Sequence, residues 1–325
     1  MFRIALIGTG WIAEKMAITA REMQEVEVYA VVSRSIEKAC DFAERWNIPK
    51  AFGSKLEMLK DDNIDLVYIA TPHSEHYEDA RLCLQKGKSV LCEKAFTATA
   101  WQAEELLNIA KEKNVFITEA IWTRYMPISQ AINEIIASGI IGKPVMLTAN
   151  LGYPNYNIGR MTDPNLAGGA LLDLGVYTIN FASMVLGTQI EEVVSSCVLT
   201  DTGVDAQNSI TLKFEEGRIA MLSSTIYAKT DRQGIISGEK GYIIIENINN
   251  PQKIIVYGDD YQVVSEYNCP PQITGYEYQI YACIEAIQIG WIESPYMPHA
   301  ETLRIMKLMD CLRKNWGVRY PSDRD

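Results

Sequence analysis

The sequence predicts two halves of different class. The first is an α/β half with a doubly wound parallel sheet. The second is an α+β half with a large, mostly antiparallel open sheet. Three observations predict this. Over the first 120 residues, short apolar runs of strand length alternate with longer helical stretches, the signature of βαβ units. After residue 120 the rhythm breaks, and strand-like runs follow one another without helices between them. The length, 325 residues with 48% hydrophobic and 22% charged, is about the limit of one core and suits two. The expected division is 1–120 and 121–325.

The elements follow in order. Residues 2–7 form an apolar strand ended by Gly8-Thr9-Gly10, and 11–22 read as a helix. A β-branched run at 26–32 is the second strand. Ser35 then opens a helix with Ala39, Phe42, Ala43 and Trp46 at apolar spacing. Residues 66–70 are a buried strand, and 75–87 a helix closed by glycine. A strand at 89–92, a helix at 99–114 and a strand at 115–118 complete the first half. In the second half, 127–138 is an amphipathic helix and 145–151 a strand. Residues 169–186 form one helix apolar on most faces, hence buried. Strands follow at 190–199, 206–214, 218–227, 235–238, 242–246, 253–257 and 261–267, with Glu215-Glu216-Gly217 as a hairpin turn. Helices at 276–290 and 299–315 end the sequence.

The turn Gly8-Thr9-Gly10-Trp11-Ile12-Ala13 fits G-x-G-x-x-A, and it lies between a strand and a helix, the context the pattern needs. Gly8 permits the tight turn, Gly10 admits a pyrophosphate close to the backbone, and Ala13 lets the helix approach the strand. The helix N-terminus offers free N–H groups to phosphate. The first half therefore reads as a dinucleotide-binding Rossmann domain, with Gly8, Thr9, Gly10, Trp11 and Ile12 at the cofactor. A carboxylate at the end of the second strand would bind ribose hydroxyls. Here the strand ends in Val32-Ser33-Arg34, and a hydroxyl and a guanidinium suit a 2′-phosphate. NADP is expected, with NAD as the alternative.

Composition narrows the class. With 30 Lys and Arg against 41 Asp and Glu, the net charge is −11, which speaks against a broad nucleic-acid footprint. No unbroken run of about 18 apolar residues occurs, so no spanning helix is expected. Residues 4–13 are apolar after Arg3, but Gly8 and Gly10 interrupt them and Glu14-Lys15 follow, so a leader is not expected and the cytoplasm is. The seven cysteines are scattered without a C-x-x-C, and there are three histidines, so neither a disulfide framework nor a metal site is expected.

Thr71-Pro72-His73-Ser74-Glu75-His76 and Cys92-Glu93-Lys94-Ala95 together resemble the Gfo/Idh/MocA family of oxidoreductases, and the likeness covers essentially the whole chain. Residues 119–125 and 168–177 look most like its dihydrodiol dehydrogenase and NADP-dependent D-xylose dehydrogenase branch. Two positions depart from the common pattern: Ala95 replaces a proline that stiffens the turn, and Tyr177 stands where many relatives carry histidine. That branch also has tyrosine there. The resemblance implies catalytic roles for Lys94, Asp173 and Tyr177, and places Glu93 near the nicotinamide ribose and Thr71 and Pro72 in the cofactor fingerprint. His76 stands either near the cofactor or as a surface histidine at a helix start. The resemblance also implies a homodimer or higher homo-oligomer through the long second sheet.

The chemistry of these residue types agrees. Hydride transfer between C–OH and nicotinamide needs a proton acceptor or donor on the oxygen. A phenol, with a pKa of about 10, needs a neighbouring cation to act near neutrality. Asp173 and Tyr177 lie four apart and would share a helix face. Trp122, Arg124, Tyr153 and Arg160 are candidates for the substrate pocket, with packing as the alternative. The expected substrate is a small sugar, polyol or trans-dihydrodiol. Keto-sugar reduction, inositol oxidation and a non-catalytic dinucleotide sensor are the rival readings.

Overall fold

The computed structural model describes residues 1–324; Asp325 lies outside them. Contacts group the chain into two compact units, Met1–Trp122 with Gln272–Met306, and Thr123–Pro271 with the residues from Lys307 on.

In the first unit, strands β1 (Phe2–Ile7), β2 (Val26–Val32), β3 (Lys50–Phe52), β4 (Leu66–Ile69), β5 (Val90–Glu93) and β6 (Ile117–Ala120) alternate with helices α1 (Trp11–Arg21), α2 (Ile36–Trp46), α3 (Lys55–Met58), α4 (His73–Gln85) and α5 (Ala100–Lys113). The strands form one parallel sheet in the order β3-β2-β1-β4-β5-β6, the doubly wound arrangement that the alternating pattern predicts. β1, β4 and β5 are nearly continuous apolar runs because helices cover both faces. Ser35 caps α2 by accepting from Lys38 N at 3.3 Å. The short β3 and α3 have no apolar period of their own and were not legible as elements. The sequence divides the chain once, near residue 120, whereas residues 272–306 return to the first unit. The reason is apolar: Ile280, Cys283 and Ala286 of the helix Glu277–Gln288 are buried in the core cluster that holds Ile4, Leu6, Met16 and Leu66.

The second unit opens with α6 (Pro127–Ala137) and β7 (Pro144–Gly152). A π-helical turn, Leu171–Gly175, leads into α7 (Val176–Leu186). Then come β8 (Ile190–Leu199), β9 (Asp205–Phe214), β10 (Ile219–Thr225), β11 (Gly234–Gly238), β12 (Gly241–Ile245), β13 (Lys253–Tyr257) and β14 (Val263–Asn268). They form an eight-stranded sheet in the order β14-β13-β12-β11-β7-β10-β9-β8, antiparallel except for the β10–β7 pair. The hairpin turn falls where expected, with Glu216 and Gly217 both in left-handed backbone (φ 62 and 74).

One face of this sheet is covered by α7. Residues 164–186 are long and apolar enough, by length and composition, to cross a membrane, but 89% of that window is buried inside the fold. The expected single helix at 169–186 is instead a π turn followed by an α-helix. Gly175 permits this: a side chain there would lie 3.0 Å from Leu171 Cδ1 and 3.2 Å from Ser224 Oγ.

Candidate active site

The glycine turn has the geometry its sequence requires. Gly8 has φ 109, and a Cβ on it would lie 2.7 Å from the Ala70 carbonyl oxygen, so only glycine fits. Its N–H donates to Val32 O at 3.0 Å, tying the end of β1 to the end of β2. Gly10 differs. A Cβ there would meet nothing within 4 Å, so open space lies before the backbone. Gly10 caps α1 without a side-chain bond, which leaves the first N–H groups of that helix to an anion. Ala13 is fully buried, as close packing of α1 on the sheet demands. Thr9 and Ile12 are half-buried beside this space, and Trp11 is 66% exposed, with Lys15 Nζ 5.5 Å from its ring centroid. These features fit a dinucleotide pyrophosphate.

Gly10→Ala therefore separates binding from folding. The variant is expected to melt with the parent while its dinucleotide Kd rises about tenfold or more. Fluorescence titration beside a melting curve measures both, and an unchanged Kd sinks the assignment.

The other predicted cofactor residues lie along the carboxyl edge of the same sheet, where open α/β sheets take ligands. Ser33 is half-buried after β2 and its N–H donates to Phe52 O at 3.2 Å. Arg34 is exposed. Thr71 Oγ1 donates to Asp79 Oδ2 at 3.0 Å, and Pro72 is the N-cap of α4. His76 is not a surface residue: its ring is fully buried, with Nε2 2.8 Å from Thr71 O and Nδ1 2.9 Å from Ala95 O. Burial holds its pKa below the ordinary value, against the two carbonyls, which favour protonation. His76 thus ties the loop after β4 to the loop after β5.

Lys94, half-buried, sits at the end of β5, and the Lys94–Ala95 peptide is cis. Glu93 is buried; it accepts from Tyr68 Oη and, at 3.3 Å, from Lys94 N. Glu119 Oε1 accepts from Phe96 N at 3.1 Å. Tyr68 was not marked in the sequence because its apolar strand carries no sign of a polar contact. Trp122 is buried, its ring stacked on Tyr276 with centroids 4.4 Å apart.

In the second unit, Asp173 and Tyr177 are each 7% exposed. They straddle the junction of the π turn and α7, not one continuous α-helix as expected; such turns recur at functional sites. Arg160 Nη1 lies 3.1 Å from Asp173 Oδ1, so two predicted residues meet. Arg124 donates to Asn180 Oδ1 at 2.6 Å and to Ser183 Oγ at 3.4 Å, on the polar side of α7.

The turn carrying Asp173 is anchored by a residue the sequence did not mark. Asp205 Oδ2 accepts from Leu171 N and from Asn208 Nδ2, each at 2.8 Å, and Asn208 Oδ1 accepts from Ser224 Oγ at 3.0 Å. Complete burial pushes the Asp205 carboxyl up to about 7, against these hydrogen bonds and the Arg313 charge. Tyr320 Oη donates to Gly168 O at 2.6 Å and holds the other end of the loop. Tyr153 Oη receives Arg232 Nη1 at 3.3 Å and Asn249 Nδ2 at 3.2 Å.

A doubly wound parallel sheet with an open glycine turn at the end of β1 and a lysine at the end of β5, two strands along, fits a nicotinamide-dinucleotide oxidoreductase. Residues 2–120 match the Gfo/Idh/MocA oxidoreductase family with its NAD-binding Rossmann fold, and residues 129–244 match the C-terminal domain of that family. The chain belongs to the Gfo/Idh/MocA family and is an NAD(P)-dependent dehydrogenase or reductase. The trans-1,2-dihydrobenzene-1,2-diol dehydrogenase of Mus musculus is 34% identical, covering 99% of each chain. That of Xenopus tropicalis is 36% identical, covering 94% of each. Among solved structures, the 3-ketoreductase KijD10 of Actinomadura kijaniata, complexed with NADP and TDP-benzene, superposes with a TM-score of 0.87 at 25% identity, covering 96% of this chain and 97% of that one.

Proposed function

We propose that this enzyme is an NADP-dependent dehydrogenase that oxidises a hydroxyl of a sugar, polyol or trans-dihydrodiol, reversibly. The observation that carries this reading is Lys94 at the end of β5, in the same sheet as the glycine turn at the end of β1. The dinucleotide, when bound, supplies the nicotinamide that accepts or returns the hydride. Tyr177 is proposed to take the hydroxyl proton, and Lys94 to donate to the substrate oxygen. Asp173, paired with Arg160, is proposed to orient a substrate hydroxyl. Trp122, Arg124, Tyr153 and Arg160 are proposed as substrate-binding residues. Ser33 and Arg34 support NADP over NAD: no carboxylate stands at the end of β2, and a guanidinium pairs well with a 2′-phosphate. Turnover of aldoses, polyols and trans-diols, followed by NADPH absorbance with NADP and with NAD in parallel, tests the reading. Dinucleotide binding without turnover of any of them would leave the sensor reading in its place.

A homo-oligomer through the second sheet is part of the same proposal. The sheet face turned away from α7 exposes Met146, Val194, Val198, Ile219 and Met221, an apolar patch of the kind that marks an interface. Met221 lies opposite Thr211 on one side and Thr148 on the other, so it is central. Met221→Glu is expected to convert the assembly to monomers in sedimentation equilibrium. A monomeric parent refutes the idea. Seven free thiols suit a reducing compartment, and the cytosol is proposed, to be checked by cell fractionation.

A further inference from the structure

Three segments of the second unit converge at Tyr153: the end of β7, the connection between β10 and β11, and the turn after β12. Tyr153 Oη already receives two hydrogens, from Arg232 Nη1 and Asn249 Nδ2. Its own hydrogen is therefore directed to a third acceptor. The Arg232 guanidinium lies over the Tyr153 ring, 5.6 Å from the centroid, and among the described residues no carboxylate pairs with it. The neighbouring Asp231 is turned elsewhere: its Oδ1 accepts from Asn150 Nδ2 at 2.6 Å and from Gln233 N at 3.1 Å. A half-buried guanidinium with most of its five N–H donors unspent, beside a phenol with a hydrogen to give, is a receptor for negative oxygen.

The backbone supports the same conclusion. Arg232 is held at φ 62, in left-handed backbone that an arginine adopts at a cost. Its N–H donates to Asn150 Oδ1 at 3.1 Å and its carbonyl accepts from Ile248 N at 2.9 Å, so the conformation is fixed from both sides. The position also fits. Gly234, two residues on, packs beneath Phe181 of α7, where a Cβ would lie 2.6 Å from the ring. Phe181 and Tyr177 are one helical turn apart on the same face. Tyr153 itself continues β7 just past Leu151, at the sheet end where Gly175 lies over Ser224 of β10.

We propose that Arg232, Tyr153 and Asn249 form a subsite for an anionic group, a carboxylate or a phosphate, at the end of the substrate away from the reacting carbon. This rests on the reading of the enzyme as a sugar or polyol dehydrogenase and names the substrate class within it.

The test uses the whole chain saturated with NADP, titrated calorimetrically with glucose, glucuronate and glucose 6-phosphate, with turnover measured in parallel. The parent is expected to bind at least one of the two acids about tenfold or more tighter than glucose, and which acid distinguishes carboxylate from phosphate. In Arg232→Gln that preference is expected to fall about tenfold or more, and Arg232→Lys, which keeps the charge, to retain part of it. Both variants are checked by melting curves, and the lysine variant carries the result if the glutamine one does not fold. Equal or weaker binding of both acids by the parent overturns the proposal, as does an unchanged preference in a folded variant. Acid binding without turnover would leave the subsite standing and remove the proposed activity. Turnover of glucose with no acid preference would do the reverse.

Discussion

Lys94→Met and Tyr177→Phe are each expected to lower kcat by about 10²-fold or more while the dinucleotide still binds. In the proposed mechanism the phenol carries the proton, yet the ordinary pKa of a phenol, about 10, leaves little phenolate at neutral pH. A cation near the reacting oxygen favours the charged form, so in the proposed mechanism losing Lys94 removes a donor to the substrate oxygen. The two variants should differ in pH response. With methionine at 94, residual activity climbs toward high pH, as an unassisted phenol would require. With phenylalanine at 177, the alkaline rise is gone. Single-turnover rates across pH 6 to 10, with Kd for NADP measured separately, decide this. Near-normal turnover in either variant removes that residue from the chemistry.

The second large effect is on stability. Asp205 is completely buried and its carboxyl is pushed up to about 7 from an ordinary 3.8. The unfolded chain loses this proton near pH 4, the folded chain near pH 7. Stability from the neutral carboxyl is therefore full below about pH 4, erodes as pH rises, and is lost beyond about pH 7, with a slope of up to about 1.4 kcal/mol per pH unit between them. Arg313 and Tyr320 are the groups that sense the same charge. Asp205→Asn keeps an oxygen for Leu171 N and has no proton to lose. Calorimetric melting from pH 5 to 8 should show a decline in the parent that is shallower in the variant. Parallel curves would falsify the assignment of this slope to Asp205.

The sequence and the structure agree where the physics is local. An apolar run followed by Gly8-Thr9-Gly10 admits one kind of turn, and alternating runs admit one kind of sheet. Ser35 announces a cap because its hydroxyl has one obvious use. The illegible parts are those made at a distance. Nothing near Asp205 says that it will hold Leu171, 34 residues earlier, because hydrogen bonds across a fold leave no period in the chain. Arg232 and Asn249 look like ordinary loop residues until Tyr153 is seen between them. Residues 169–186 read as one helix because apolar composition does not record a π turn, which depends on how tightly Gly175 meets Ser224 and Leu171. The lysine, aspartate and tyrosine were found by likeness to a family, and their types then made chemical sense.

The return of residues 272–306 to the first unit has a consequence for synthesis. The nucleotide sheet emerges from the ribosome complete in its strands, yet the part of its core that Ile280, Cys283 and Ala286 fill stays uncovered until that segment has been made. During that interval the nascent chain exposes apolar surface, the kind that favours aggregation. For the same reason, cutting the gene after residue 122 would not release an autonomous dinucleotide-binding module.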